Sequence, residues 1–144
     1  MKRVINRKAR FKYELLDRVE AGVVLTGAEV KSVREGKISL GESFARIDDK
    51  GEAWLVNANI HPYAPANNKN YDPTRSRKLL LKRVEIERIL AKIDNKNLTL
   101  VPTTAYSKGG RIKIELAIGK GKKEWDKRRT IKDREAKREL KKMA

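Results

Sequence analysis

Between residues 111 and 118 the chain alternates by twos, with Ile112, Ile114, Leu116 and Ile118 on one side and Arg111, Lys113 and Glu115 on the other. Only an extended strand gathers such a set onto one face, because successive strand side chains point in opposite directions. One face is then dry and the other wet, which suits an antiparallel sheet. Residues 13–25 repeat the pattern, with Tyr13, Leu15, Val19, Ala21, Val23 and Leu25 opposing Glu14, Arg18 and Glu20. The alternation breaks at Asp17, and Gly22 marks the expected bend.

Residues 43–48 and 52–60 read as two more strands, joined by Asp49, Lys50 and Gly51, whose glycine can supply the positive φ of a hairpin loop. Residues 75–81 read as extended, and 97–106 leads through Ser107-Lys108-Gly109-Gly110 into the strand at 111. Thr26 followed by Glu29 predicts a capping box opening a helix over 27–35, with Val30 and Val33 inward, Lys31 and Arg34 outward, and Gly36 as its stop. Ile86, Ile89, Leu90 and Ile93 predict an amphipathic helix over 84–94. Residues 61–73, rich in Pro and Asn, form a loop. These elements predict a mainly β fold, an OB-like closed antiparallel barrel of about six strands with two or three helices.

Of 144 residues, 36 are Lys or Arg and 19 Asp or Glu, a net charge of +17. Such a charge repels itself unless a polyanion is near, and nucleic acid is the commonest polyanion in a cell. A membrane surface would want a basic helix with bulky apolar residues opposite, and no run approaches the ~20 apolar residues that span a bilayer. A soluble, cytoplasmic protein with no membrane partner is the expectation. Residues 119–144 carry 12 Lys and Arg against 5 Asp and Glu, a net of +7, which leaves +10 for residues 1–118. We therefore expect a barrel over 1–118 and a basic C-terminal tail over 119–144, disordered alone and helical against a partner. Trp125, an aromatic among cations, suits stacking on a base.

With no Cys, the chain has no disulfide, thiol nucleophile or Cys-type zinc site. The lone His61 sits beside Pro62 without a nucleophile motif, and reads as a loop or rim residue. GKGKKEW lacks the spacing of a phosphate loop, so no catalytic residue, metal or cofactor is expected. Composition and pattern alone lead to a basic OB-fold RNA-binding or ribosomal protein.

Five strings, in chain order, resemble one family: NRKA at 6–9, EAGVVLTGAEVKSVREGK at 20–37, DPTRSRKLLL at 72–81, LVPTTAY at 100–106 and GKGKKEWDKR at 119–128. They closely resemble the SmpB family, the tmRNA-binding (SsrA-binding) proteins of bacterial trans-translation. The chain departs at Asn97, where the family usually has Gly, and at Thr103 and Thr104, in a usually more apolar strand. The resemblance implies a non-catalytic barrel that holds the tRNA-like domain of tmRNA at its D-loop and elbow. It also implies delivery of alanyl-tmRNA, with elongation factor Tu and GTP, to the A site of a stalled ribosome. The tail would enter the empty mRNA channel near the small-subunit decoding centre.

By the resemblance, Asn6, Glu20 and Leu80 fall at tmRNA-contacting or contact-supporting positions. Asn6 offers a donor and an acceptor to a base edge or 2′-hydroxyl. Glu20 either accepts from a base or orients a neighbouring cation, and Leu80 either wedges against a nucleotide or belongs to the core. Arg7, Lys8, Lys31, Arg34, Arg77 and Lys78 would hold phosphates. In the tail, Gly119 and Gly121 would form a hinge, Lys122, Lys123, Lys127, Arg128 and Arg129 would neutralise ribosomal RNA, Trp125 would stack and Asp126 would orient Lys127 or Arg128.

Overall fold

Three long strands frame the molecule: β2 (Tyr13–Val23), β8 (Leu98–Lys108) and β9 (Arg111–Gly121). The computed structural model describes residues 1–93, 97–122 and, as a helix, 124–143. Before β2 come β1 (Val4–Ile5) and α1 (Arg7–Lys12). Between β2 and β8 lie α2 (Gly27–Arg34), β3 (Ile38–Ser39), β4 (Phe44–Ile47), β5 (Ala53–Val56), β6 (Asn59–Ile60), β7 (Arg77–Leu80) and α3 (Arg83–Ile93). After β9 comes α4 (Glu124–Met143).

The strands pair in the order β8-β4-β5-β7-β2-β9, and β9 pairs again with β8, so that six strands close a ring. All the pairings are antiparallel, and β1 adds to β8 beyond its contact with β4. The expected closed, mainly β barrel is present. Its interior holds Ala21, Leu55, Leu79, Leu100, Ile112, Ile114 and Leu116, all buried. The alternating set at Ile112 faces inward as its period requires.

Local chemistry sets the element ends. Thr26 Oγ1 accepts from the Glu29 N–H (3.2 Å) and Glu29 Oε1 from the Thr26 N–H (3.0 Å), the reciprocal box that opens α2. Asn97 takes a φ of 79°, the left-handed region a glycine occupies at no steric cost, which explains how this departure from the family pattern is accommodated.

Three expectations about the strands need correction. The irregularity of β2 lies between Leu16 and Arg18, where Asp17 has a φ of 39°, and not at Gly22, which stays paired with Leu80. The single strand expected over 52–60 is divided at Asn57 (φ 64°) into β5 in the barrel and β6, which pairs with β3 outside the ring. The strand expected to end at residue 118 continues to Gly121, because Gly119 pairs with Leu15 and Gly121 with Tyr13.

Candidate nucleic-acid interface

Strand alternation turns Glu20 and Gly22 of β2 to the outside, while Ala21 between them is buried. Gly22 lies between Leu80 of β7 and Lys113 of β9 in the paired ladders. A Cβ at Gly22 would stand 3.3 Å from Leu80 Cβ and 3.4 Å from its Cδ1, so the glycine leaves room for the leucine to lie across the sheet. Leu80 is 54% exposed. Of its two readings, the core is excluded, and the neighbouring Leu79 is the buried one. A cleft of about 550 Å³ opens over this row, lined by Glu20, Gly22, Lys78, Leu80, Lys82 and Lys113. Lys78 reaches Glu52 at 3.6 Å and stays partly exposed.

Glu20 is held by residues distant in sequence. The Tyr106 hydroxyl donates to its carboxylate, and Lys108 Nζ lies 3.4 Å and 3.5 Å from the two oxygens. The Tyr106 bond, with help from Lys108 and against a smaller desolvation cost, keeps the Glu20 carboxyl below its usual range. Burial, followed by the Glu20 bond, pushes the Tyr106 hydroxyl up to about 12. At neutral pH the site therefore presents an ionised acceptor clamped by a neutral phenol. The guanidinium of Arg3 stacks over the Tyr106 ring, 4.8 Å from its centroid. Arg3, Tyr106, Lys108 and Lys113 are not among the contacts expected from sequence, although the alternation at 111–118 places Lys113 on the wet face and Tyr106 ends the LVPTTAY string.

Two predicted contact residues are turned inward. Asn6 caps α1: its Oδ1 accepts from the Ala9 N–H (3.1 Å), while Nδ2 donates to the carbonyls of Leu40 (3.0 Å) and Pro102 (2.8 Å). It is buried, with its amide committed to the protein at the start of the helix that carries exposed Arg7 and Lys8, and so is not free to read a base edge. Arg77, expected on a phosphate, is fully buried. Its guanidinium donates to Glu29 Oε2 from Nε (2.9 Å) and Nη2 (2.5 Å), to the Ala58 carbonyl (2.7 Å) and to the Pro73 carbonyl (2.9 Å). Arg75 also donates to Glu29, and the Tyr71 hydroxyl bonds the same carboxylate at 3.1 Å. Burial would raise the Glu29 carboxyl, but the bonds from Arg75, the Thr26 N–H and Arg77 outweigh it and hold the group at about 2. This knot ties the 61–73 loop to α2.

The remaining barrel cations lie outside. Lys31 sits 5.5 Å from the Tyr63 ring centroid, and Arg34 Nη2 donates to the Gly110 carbonyl at 3.0 Å, both side chains exposed. Lys8 pairs with Glu42. His61 is a loop residue whose carbonyl accepts from Ser32 Oγ at 2.7 Å. Among the described residues no His, Cys, Asp and Glu side chains group as metal ligands, and no helix is long and apolar enough to cross a membrane.

The hinge expected at Gly119 and Gly121 is instead ladder: both lie in β9, and a Cβ at Gly119 would come within 3.0 Å of the Tyr13 ring. Lys122 continues the attachment, its N–H bonding the Lys12 carbonyl (2.9 Å) and its Nζ the Arg10 carbonyl (3.0 Å). In α4, Arg128 is exposed and the Arg134 guanidinium lies 5.9 Å from the Phe11 ring centroid. Lys123 and the side chains of Trp125, Asp126, Lys127 and Arg129 lie outside the described residues.

The comparisons with known proteins agree with this geometry. The family model described as SmpB protein matches residues 3–144. An SsrA-binding protein of Chlorobaculum tepidum is 54% identical over 138 residues, covering 95% of this chain and 87% of the relative. One of Thermosynechococcus vestitus is 51% identical over 136 residues, covering 94% of this chain and 89% of the relative. A solved structure described as "tmRNA-SmpB: a journey to the center of the bacterial ribosome" is 46% identical, with a TM-score of 0.71, covering 86% of this chain and 87% of that one. With one family model spanning nearly every residue and relatives at half identity across the whole barrel, the chain belongs to the SmpB family.

Proposed function

We propose that this chain is a non-catalytic tmRNA-binding protein of trans-translation, acting in the cytoplasm. The barrel holds the tRNA-like domain of tmRNA at its D-loop and elbow. It brings alanyl-tmRNA, with elongation factor Tu and GTP, to the A site of a stalled ribosome. The observation that carries this reading is the exposed Leu80 lying over Gly22, flanked by a clamped carboxylate at Glu20 and by Lys78 and Lys113. An apolar surface with an acceptor beside it and cations around it is what a splayed RNA loop needs: stacking or wedging, an edge contact, and phosphate neutralisation.

The basic C-terminal segment acts on a second RNA. On the ribosome it lies in the empty mRNA channel, with Lys122, Lys123, Lys127, Arg128 and Arg129 on ribosomal RNA and Trp125 stacked on a decoding-centre base. That β9 reaches Gly121 and Lys122 bonds α1 supports a division between barrel and tail after Lys122. Removing residues 123–144 leaves the affinity for tmRNA within about threefold, since the barrel patch supplies the binding, and abolishes tagging of stalled chains in a reconstituted translation system. Loss of tmRNA binding on this truncation would refute the division of labour.

A further inference from the structure

A second cleft, of about 390 Å³, lies between β2 and α3 and is lined by Arg18, Glu20, Glu85, Arg88 and Lys92 above Ile89. Its volume falls within the ~300–1,000 Å³ of small-ligand sites. Glu20 and Glu85 line this cleft and also the one over Leu80, so the two are halves of one groove. The charges in the second half are mostly committed. Lys92 bonds Asp17 at 2.7 Å, Arg18 reaches Glu115 at 3.4 Å, and Glu85 accepts from the Lys82 N–H at 2.9 Å. Arg88 differs: it is exposed at the rim, and among the described residues its guanidinium makes no hydrogen bond or ion pair.

We propose that the RNA site at Leu80 and Glu20 continues past Glu20 into this second cleft and seats a further unpaired nucleotide there, with Arg88 on its phosphate. An occupant with hydrogen-bond donors on a flat body and an anion at its edge matches carboxylates inside, an isoleucine floor and one uncommitted guanidinium at the mouth. A nucleotide has that distribution. Continuity with the Leu80 cleft makes the next residue of the same RNA its source. This inference rests on the function proposed above.

The test uses the full-length chain and the tRNA-like domain of tmRNA transcribed in vitro, with affinity measured across a salt series. Arg88→Glu weakens binding by about tenfold and Arg88→Ala by about threefold, the latter also reducing the salt slope by roughly 0.7, the value for one phosphate on a single strand. Arg83→Glu is the control, on the same helix but outside both clefts and already paired with Glu87 at 3.4 Å; it stays within about twofold of the parent chain. Leu80→Ala reports on the first half of the groove. If Leu80→Ala weakens binding while both Arg88 variants bind like the parent, the extension is wrong and the function stands. If Arg83→Glu weakens binding as much as Arg88→Glu, only bulk charge is being read and the extension is again wrong. A parent chain that does not bind this RNA overturns both.

Discussion

Arg77 and Glu29 meet where neither side chain reaches solvent, 0% and 1% exposed, joined by two bonds of 2.9 Å and 2.5 Å. Their partner set runs from α2 through the 61–73 loop to β7. Arg77, expected on a phosphate, is thus a structural element of the barrel and not part of its charged face.

Removing the Arg77 guanidinium leaves the buried Glu29 carboxylate with Arg75 as its cation and takes away the bonds to the Ala58 and Pro73 carbonyls, which together cost about 2–4 kcal/mol. Arg77→Met is therefore expected to lower the urea-unfolding free energy by that amount. Arg77→Lys is expected to fail almost as badly, because an ammonium cannot reproduce the guanidinium fork. A loss under about 1 kcal/mol for both would show that the pair does not hold the loop.

The same carboxylate sets an acid limit. The folded Glu29 carboxyl is held at about 2 against a usual 4.5, so its stabilisation is fully present above pH 4.5 and is lost as the pH falls toward 2. The urea midpoint of the parent chain should fall across that window. Glu29→Gln, less stable throughout, should lack this part of the slope; an identical slope in both proteins would assign the acid sensitivity elsewhere.

Gly119 and Gly22 separate a packing role from a binding role. Gly119→Ala places a methyl 3.0–3.1 Å from Tyr13 atoms and is expected to cost about 1–3 kcal/mol, whereas a hinge glycine would tolerate it. Gly22→Ala presses only on the exposed Leu80 side chain, so stability changes by less than about 1 kcal/mol while affinity for the RNA falls. Thermal melts and binding curves on both variants check this.

Tyr106→Phe removes the chief contact that lowers the Glu20 carboxyl. Its titration, followed by carboxyl-resolved NMR, should move up toward the usual carboxylate range, and RNA affinity should drop without loss of the fold. An unshifted Glu20 would mean that Lys108 alone sets its charge.

The sequence carried the barrel because its strands have one wet face: the alternation at Ile112 and Tyr13 needs no tertiary information. The break in that alternation at Asp17 is the bulge, whereas the glycine at 22, a residue type that often marks a bend, stays in the ladder. The site was harder to read. Arg77 and Asn6 belong to residue types that are usually exposed, and their partners Glu29 and Pro102 stand 48 and 96 residues away. Leu80, between Leu79 and Leu81, reads equally as core or as an RNA wedge until the register of β7 against β2 turns it outward. Tyr106 and Glu20 are 86 residues apart, and only closure of the ring through β8 and β9 brings them together.

The central claim, that this barrel serves one particular structured RNA, is tested most directly by capturing the full-length chain from bacterial cells and sequencing the RNA that comes with it. The expected result is a single strongly enriched tmRNA that is lost with Leu80→Ala. Recovery of ribosomal RNA alone, or of a broad mixture without tmRNA enrichment, would contradict it.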